Sequence, residues 1–473
     1  MDRKELLSLE KEQLVDIIFA LVEQVKILTA RVEELEAKLN TNSGNSSQPP
    51  SQDGYVKPAP KSLRPKSGQK PSGQKGHKGN GLKLEREPDE TIEHKAEICQ
   101  KCGAYIGDAD CVCVATSNVI DFEIEVKIVT HKQMETECPN CGCSNKGVMP
   151  KEASHSMVYG AGLRAFVVLL TNYVCVVMKK ISNILGDVFG ICISTGTVQN
   201  INSAFAENSS PILREIKERA VNSPLIHADE SGMNMNGQNW WIHNASTPEL
   251  TYMTANPKRG AEGINANGVL PGYAGVVVHD FWSPYFKYTD CVHAMCCAHL
   301  LRELNWVDEN TKQTWAGKMR TLLCKMKIVK EDYIEADRVE LSRYYITKFA
   351  HEYAEILLLG DMETPYNPFS RKQSKSRNLL ERFIDYEDEI TLFSRDFNVP
   401  FDNNQAERDI RNAKVKQKVS GTFRSQEGLK NYADTSSVIG TAVKQGLSVF
   451  MTLKNIVTGK INSLFVKNSV ATE

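Results

Sequence analysis

The chain has 473 residues, more than one ordinary domain holds, and 41% hydrophobic with 24% charged residues excludes a wholly disordered or fibrous protein. Its formal net charge of −1 gives no overall basic field, and its most apolar run, Phe166 to Met178, is too short to span a bilayer. Met1 to Lys11 is mostly polar or charged, unlike a secretory signal, so thirteen cysteines imply a reducing, cytoplasmic setting and metal ligation over disulfides.

Residues 6–39 carry a heptad pattern. Leu7, Leu14, Leu21, Leu28 and Leu35 occupy one seam position, and Ile18, Val25, Val32 and Leu39 the other. Leucine at d with mostly β-branched residues at a predicts a parallel two-stranded coiled coil, and hence a homodimer. The competing reading is an amphipathic helix packed on its own domain. Residues 41–80 then become rich in Pro, Gly, Ser, Asn, Gln and Lys, the composition of a disordered linker. Between 57 and 83 stand eight Lys or Arg and no acid, so this linker is a candidate DNA-tracking arm or simply a solubilising spacer.

Residues 91–145 hold seven of the cysteines. Cys99-Gln-Lys-Cys102-Gly and Cys138-Pro-Asn-Cys141-Gly are two turns that each present a pair of thiolates, together enough to close one tetrahedral Zn²⁺ site. Alternation of Ile120, Phe122, Ile124, Val126 and Ile128 with Asp121, Glu123, Glu125 and Lys127 predicts a half-buried strand between them. The pattern from Leu163 to Met178 and Ile181 to Phe189, a break at Gly190 and a new start near Ser194 predicts helices spaced as in a helix-turn-helix. Ser194–Ser210 contains no Lys or Arg, however, so the second helix reads as a packing element.

From about residue 223 the chain reads as strands: LIHAD (225–229), NWWIHNAST (239–247), LTYMTA (250–255) and GVVVHD (275–280). Helical sequence is expected from 291 to 395, with a further helix starting at FDNNQAERDIR. Leu225, His227 and Asp229 share one strand face, as do Val276, Val278 and Asp280, each set ending on an acid at the strand end. Acids at neighbouring strand ends suit hard divalent cations, although a strand-terminal Asp is often only a cap for the next turn. In the later helix Asp402 is placed to cap the start, with Gln405 three residues on. Glu407 leads a face continued by Arg411, Lys414 and Lys418, and Arg408 adds a further cation suited to phosphate.

HADES (227–231), VVHDFWSPY (277–285), CCAHLLREL (296–304) and DNNQAERDIR (402–411) resemble the IS66-type transposases, and the Cys-rich region, NSSQPPS (45–51) and the leucine-rich start also fit that family. The resemblance implies an RNase H-like core with an Asp-Asp-Glu triad, which falls on Asp229, Asp280 and Glu407, binding Mg²⁺ or Mn²⁺. It implies DNA partners, both transposon ends and target, and suggests separately encoded accessory proteins. The family's CxAHxxR-like motif falls on Cys297, His299 and Arg302, read as structural or substrate-positioning residues. Where the family more often has Pro after the IR pair, this chain has Asn412.

The expected fold is multidomain: a coiled coil (1–40), a basic linker (41–90), a zinc-binding module (91–150), a helical domain (151–220), and an α/β RNase H-like core (221–290 and 396–473) interrupted by a helical insertion (291–395). The expected activity is metal-dependent DNA cleavage at transposon ends and strand transfer. An RNase H-like nuclease lacking strand transfer and a non-catalytic DNA-binding derivative are the alternatives.

Overall fold

The computed structural model describes residues 10–42, 44–45, 87–122, 125–150, 153 and 158–465. They fall into two units, Lys61–Thr130 and Met1–Pro60 with His131–Glu473. The module expected over 91–150 straddles that division in sequence. The basic run of 57–83, Leu7 of the heptad, and Glu123 and Ile124 of the expected strand lie outside the described residues.

In the larger unit, α1 (Lys11–Leu39) is one continuous helix. Its seam residues Ile18, Leu21, Val25, Leu28, Val32 and Leu35 are each 50–64% exposed, so the described residues leave them largely uncovered. A hairpin follows, β1 (Glu135–Glu137) paired antiparallel with β2 (Ser144–Lys146). In the smaller unit, the described residues of the strand expected over Ile120–Ile128 are irregular, and Ile120, Phe122 and Ile128 are exposed. Period-two alternation makes a face, and a face becomes a strand only where neighbouring backbone accepts its hydrogen bonds. Among that unit's described residues the sole pairing is a bridge between Ile98 and Tyr105.

A helical layer comes next: α2 (Ala161–Val168), α3 (Met178–Phe189), α4 (Thr195–Asn208) and α5 (Ser210–Val221). The helix expected to run on to Met178 instead passes at Leu169 into a π turn, ending at Tyr173. Buried polar groups at that point explain the change: Thr171 Oγ1 donates to the Val167 carbonyl, and Asn172 bonds Asn202 of α4. Gly190 closes α3 in the left-handed conformation, and Ser194 caps α4 by accepting from Thr197 N. Val198, Ile201 and Phe205 of α4 are buried, consistent with packing.

The sheet has five strands: β3 (Leu225–Met235), β4 (Gln238–Ser246), β5 (Thr251–Asn256), β6 (Val276–His279) and β7 (Val292–Met295), in the order β5-β4-β3-β6-β7. The first three are antiparallel, while β6 and β7 continue parallel to β3. Asn236-Gly237 turns β3 into β4 with φ of 48° and 83°, the conformation an Asn-Gly hairpin supplies. Short α6 (Ala261–Asn267) lies between β5 and β6. Strand β7 occupies sequence expected to be helical; Ala294 and Met295 are buried there against the inserted helices.

Those helices are α7 (Cys297–Asn310), α8 (Trp315–Glu335), α9 (Arg343–Glu363), α10 (Lys375–Asp385) and α11 (Glu387–Arg395). They build their own core around Trp315, Tyr353, Phe383 and Phe393, closed on the sheet side by Val278. The chain returns as α12 (Asn404–Ser420), α13 (Gln426–Lys444) and α14 (Val449–Val457). Ile410 and Ala413 of α12 pack on Met233, Met235 and Ile242, while Ile226, Ala228 and Val277 point to the other face, toward α2–α5. Outer strand β5 is covered: Ser437 and Thr441 of α13 accept from the N–H groups of Met253 and Thr251. Among the described residues no helix is long and apolar enough to cross a membrane.

Candidate active site

Register decides which acids meet. On β3 and β6, Leu225 pairs with Val276 and His227 with Val278, in parallel. Two residues further along each strand stand Asp229 and Asp280, level with each other and on one face. Asp280 does follow the last residue of β6. Asp229 is not strand-terminal, because β3 runs on to Met235, held there by β4. It marks instead the end of the ladder shared with β6, where a crevice opens beside the carboxyl ends of parallel strands.

The same face is covered by α12, whose first turn carries Glu407. Burial, followed by the charges of Glu230 and Asp280, pushes the Asp229 carboxyl well above its ordinary range, and Glu407 adds to the rise. Burial and Glu230 likewise lift Asp280 to about 6. Glu407 is raised by burial, offset by Arg302 and Arg411, with Asp402 and Asp280 pushing it further up. Each aspartate accepts one backbone hydrogen bond, Asp229 Oδ1 from Glu230 N at 2.9 Å and Asp280 Oδ1 from Trp282 N at 3.0 Å. Glu407 Oε1 is buried and accepts none. Glu407 and Asp280 each act by charge on Asp229, and Asp280 on Glu407, although the oxygens of the three acids do not all lie within 4.8 Å of one another.

The start of α12 differs from the expected capping box. Asp402 accepts from Asn404 N at 3.0 Å, a local turn contact; the residue at the cap position is Asn403, with no side-chain cap, and Gln405 Nε2 finds no partner. Asn403 is occupied elsewhere: its Nδ2 donates to the Ala228 carbonyl (2.7 Å), its Oδ1 accepts from His227 Nδ1 (2.8 Å), and its N–H donates to Cys296 Sγ (3.2 Å). One buried residue therefore joins β3, through its side-chain amide, to the entry of α7, through its backbone N–H, at the start of α12.

The basic residues divide. Arg408, Arg411 and Lys418 are exposed along α12. Lys414 is half-buried and donates to the Gly232 carbonyl, which ties α12 to β3. Lys416 is buried and donates to the Thr171 and Val176 carbonyls, freed around the π turn. Asn412 reaches the same turn, donating to the Asn172 carbonyl at 3.0 Å. Asp409 leaves the acid cluster and pairs with Lys444 at 2.6 Å.

Of the motif on α7, Cys297 is core, its Sγ 3.5 Å from the Ile390 carbonyl. His299 stands beside Glu407, and Arg302 exerts its charge on both. Sequence reasoning passed over Cys296 and Asn403, although both sit within motifs it singled out. It also passed over Glu230, which alternation turns away from Asp229. There Glu230 accepts from Tyr285 (2.6 Å) and twice from Arg259 (2.8 and 3.0 Å), and the Arg259 guanidinium lies over Trp282 at 4.2 Å. The only advance signal was its place in HADES.

The two cysteine turns are alike. Cys99 N donates to the Ala104 carbonyl and Gly103 N to that of Cys99; Cys138 N donates to Cys143 and Gly142 N to Cys138, all at 2.8–2.9 Å. Gly103 and Gly142 have φ of 75° and 69°, which a side chain would strain. Backbone N–H groups, of Lys101 and Cys102 in one turn and Asn140 and Cys141 in the other, lower the thiol pKa of Cys99 and Cys138.

No curated protein matches the chain. Residues 2–83 match the model of a family of unknown function, DUF6444. Residues 156–431, more than half of the chain and all of the acid cluster, match the model of the transposase IS66 family, so the chain belongs to the IS66 family of transposases.

Proposed function

We propose that this transposase cleaves DNA at the ends of its element and joins the freed 3′-hydroxyl to target DNA, with Asp229, Asp280 and Glu407 as its carboxylate triad. The observation that carries the reading is the level register of Asp229 and Asp280 beneath Glu407. The strand order β5-β4-β3-β6-β7, antiparallel and then parallel, supports an RNase H-like core carrying α7–α11 as an insertion.

The donor set fits a hard divalent cation. It offers carboxylate oxygens, each acid is held above its ordinary pKa chiefly by burial with nearby carboxylates adding to the rise, and one buried oxygen has no donor. Asp229, Asp280 and Glu407 would hold Mg²⁺ or Mn²⁺, which when bound activates a water or hydroxyl nucleophile and stabilises the leaving oxygen. The backbone hydrogen bonds to Asp229 and Asp280 orient their carboxylates in advance. Arg411 and Lys418 extend from Glu407 along α12 as the phosphate contacts, with Arg408 beside them. His299 and Arg302 flank Glu407 as positioning residues.

Two further assignments belong to this reading. On their sequence spacing, Cys99, Cys102, Cys138 and Cys141 are the ligands of a structural Zn²⁺, each CxxC turn being by itself shaped to present two thiols. The uncovered apolar seam of α1 pairs two copies of the chain. Incubating the full chain with end-labelled transposon-end DNA and Mg²⁺ tests the whole. Cleaved and joined products are expected. Cleavage without joining would replace this proposal with a nuclease, and binding alone with a non-catalytic DNA-binding protein.

A further inference from the structure

Where α7 and α12 begin, Cys296, His299 and Glu407 each bring one ligand atom within 4.8 Å of the other two. His299 Nδ1 is 3.2 Å from Cys296 Sγ, and His299 Nε2 is 3.9 Å from Glu407 Oε1, beyond hydrogen-bond reach. Cys296 is buried, and Glu407 Oε1 is the buried oxygen without a donor. A solvent-removed acceptor left bare is costly, and here it faces a thiol and an imidazole. Sulfur, nitrogen and oxygen together are the donors of a borderline ion such as Zn²⁺, unlike the all-oxygen set that suits Mg²⁺.

We propose that Cys296, His299 and Glu407 form a second metal site, for Zn²⁺ or a similar borderline ion, with three protein ligands. Filling it draws Glu407 away from Asp229 and Asp280, so the ion opposes Mg²⁺-dependent cleavage. This rests on the reading of Glu407 as a member of the triad. Bond lengths of about 2.0–2.3 Å place tetrahedral ligand atoms roughly 3.3–3.7 Å apart. The ligand nitrogen is then Nδ1, whose distance to Sγ is already near that spacing, and the Glu407 oxygen, which now lies nearest Nε2, is brought toward Nδ1 by rotation of its long side chain. As the sulfur–metal bond forms, the Cys296 thiol proton passes to solvent. The Asn403 N–H that donates to Sγ then stabilises the thiolate.

The test titrates ZnCl₂ calorimetrically into the full chain already carrying the zinc it is purified with, and repeats the titration with CoCl₂ while recording thiolate-to-cobalt charge-transfer absorption. One further ion per chain is expected, with a cobalt–thiolate band. Cys296→Ser and His299→Gln should each weaken that ion by more than roughly tenfold, and Cys296→Ser should remove the band. Glu407→Gln should weaken it likewise, giving an independent reading if a variant at 296 fails to fold. No further ion in the unaltered chain, or unchanged binding in the variants, overturns the proposal. In a parallel cleavage assay, each protein's rate is compared with its own zinc-free rate; added Zn²⁺ should suppress the unaltered chain at concentrations roughly tenfold below those needed for Cys296→Ser. Zinc binding in a protein that cleaves under no condition would remove the DNA-cleaving reading and leave the metal site standing.

Discussion

His227 on β3 donates through Nδ1 to Asn403 Oδ1, 2.8 Å away and 176 residues later in the chain. Asn403 also holds the Ala228 carbonyl, one residue before Asp229, and its own carbonyl accepts from Glu407 N at 3.3 Å. The strand bearing the first acid and the helix bearing the third are thereby locked through one buried side chain. Asn403→Ala leaves His227 and the Ala228 carbonyl without that partner, so stability should fall by about 1–3 kcal/mol in a denaturant titration. The Mg²⁺ concentration for half-maximal cleavage should rise as well. A stability loss with unchanged Mg²⁺ dependence would show that Asn403 supports the fold without placing Glu407.

Glu407 and Asp409 separate by partner. Glu407→Gln should abolish cleavage and joining while leaving DNA-end binding and folding intact. Asp409 is half-buried and bonded to Lys444, which also donates to the Thr247 and Leu250 carbonyls. Asp409→Asn keeps an acceptor there, so it should cost about 1 kcal/mol of stability and retain most activity. Asp402→Asn should lose little, since asparagine also forms the local turn contact. A dead Asp409→Asn beside an active Glu407→Gln would reverse the assignment.

The acid cluster also predicts a pH response. Asp280 titrates at about 6, and Asp229 and Glu407 are raised too, chiefly by burial. A carboxyl with a folded pKa above its unfolded value favours the folded state when protonated, and that advantage is lost as pH rises through the folded pKa. Without divalent cation, the thermal midpoint contributed by these groups should fall as pH rises from about 4 to above 6. Added Mg²⁺ should restore it at pH 7–8 and do little near pH 5, where protons compete for the same oxygens. Asp280→Asn should stabilise the metal-free protein at pH 8 by about 2–3 kcal/mol, from about 1.4 kcal/mol per pKa unit. A midpoint indifferent to both pH and Mg²⁺ would count against the cluster as a cation site.

Metal analysis of protein purified in reductant should find about one zinc per chain, as two cysteine pairs filling one tetrahedral site require. Its removal by a chelator should open residues 91–145 to protease while residues 158–465 stay resistant. A metal-free preparation with that segment still protected would rule out the structural zinc.

If the exposed seam of α1 pairs two copies as proposed, a peptide covering residues 6–39 should be helical, with helicity rising with concentration. Leu21→Ala with Leu28→Ala should abolish pairing, each buried leucine contributing roughly 2–5 kcal/mol. Monomeric behaviour at high micromolar concentration would dismiss the dimer.

Periodicity in the sequence was enough to place Asp229 with His227 and Asp280 with Val278 on their strand faces, and the helix carrying Glu407 was legible from its composition. These are local facts: side-chain alternation and helical facing depend on a few neighbouring residues. What tertiary structure decided was pairing. The described residues of the strand expected over Ile120–Ile128 gained no partner, whereas Val292–Met295, read as helical, became a strand because it pairs with β6. Lys414 belonged by facing to the phosphate-binding residues and was taken instead by the Gly232 carbonyl. Cys296 and Asn403 meet across 107 residues, a contact no local period encodes. Local patterns assign each residue a face; only the folded chain determines what stands opposite it, because hydrogen bonds and charges act across space without regard to sequence separation.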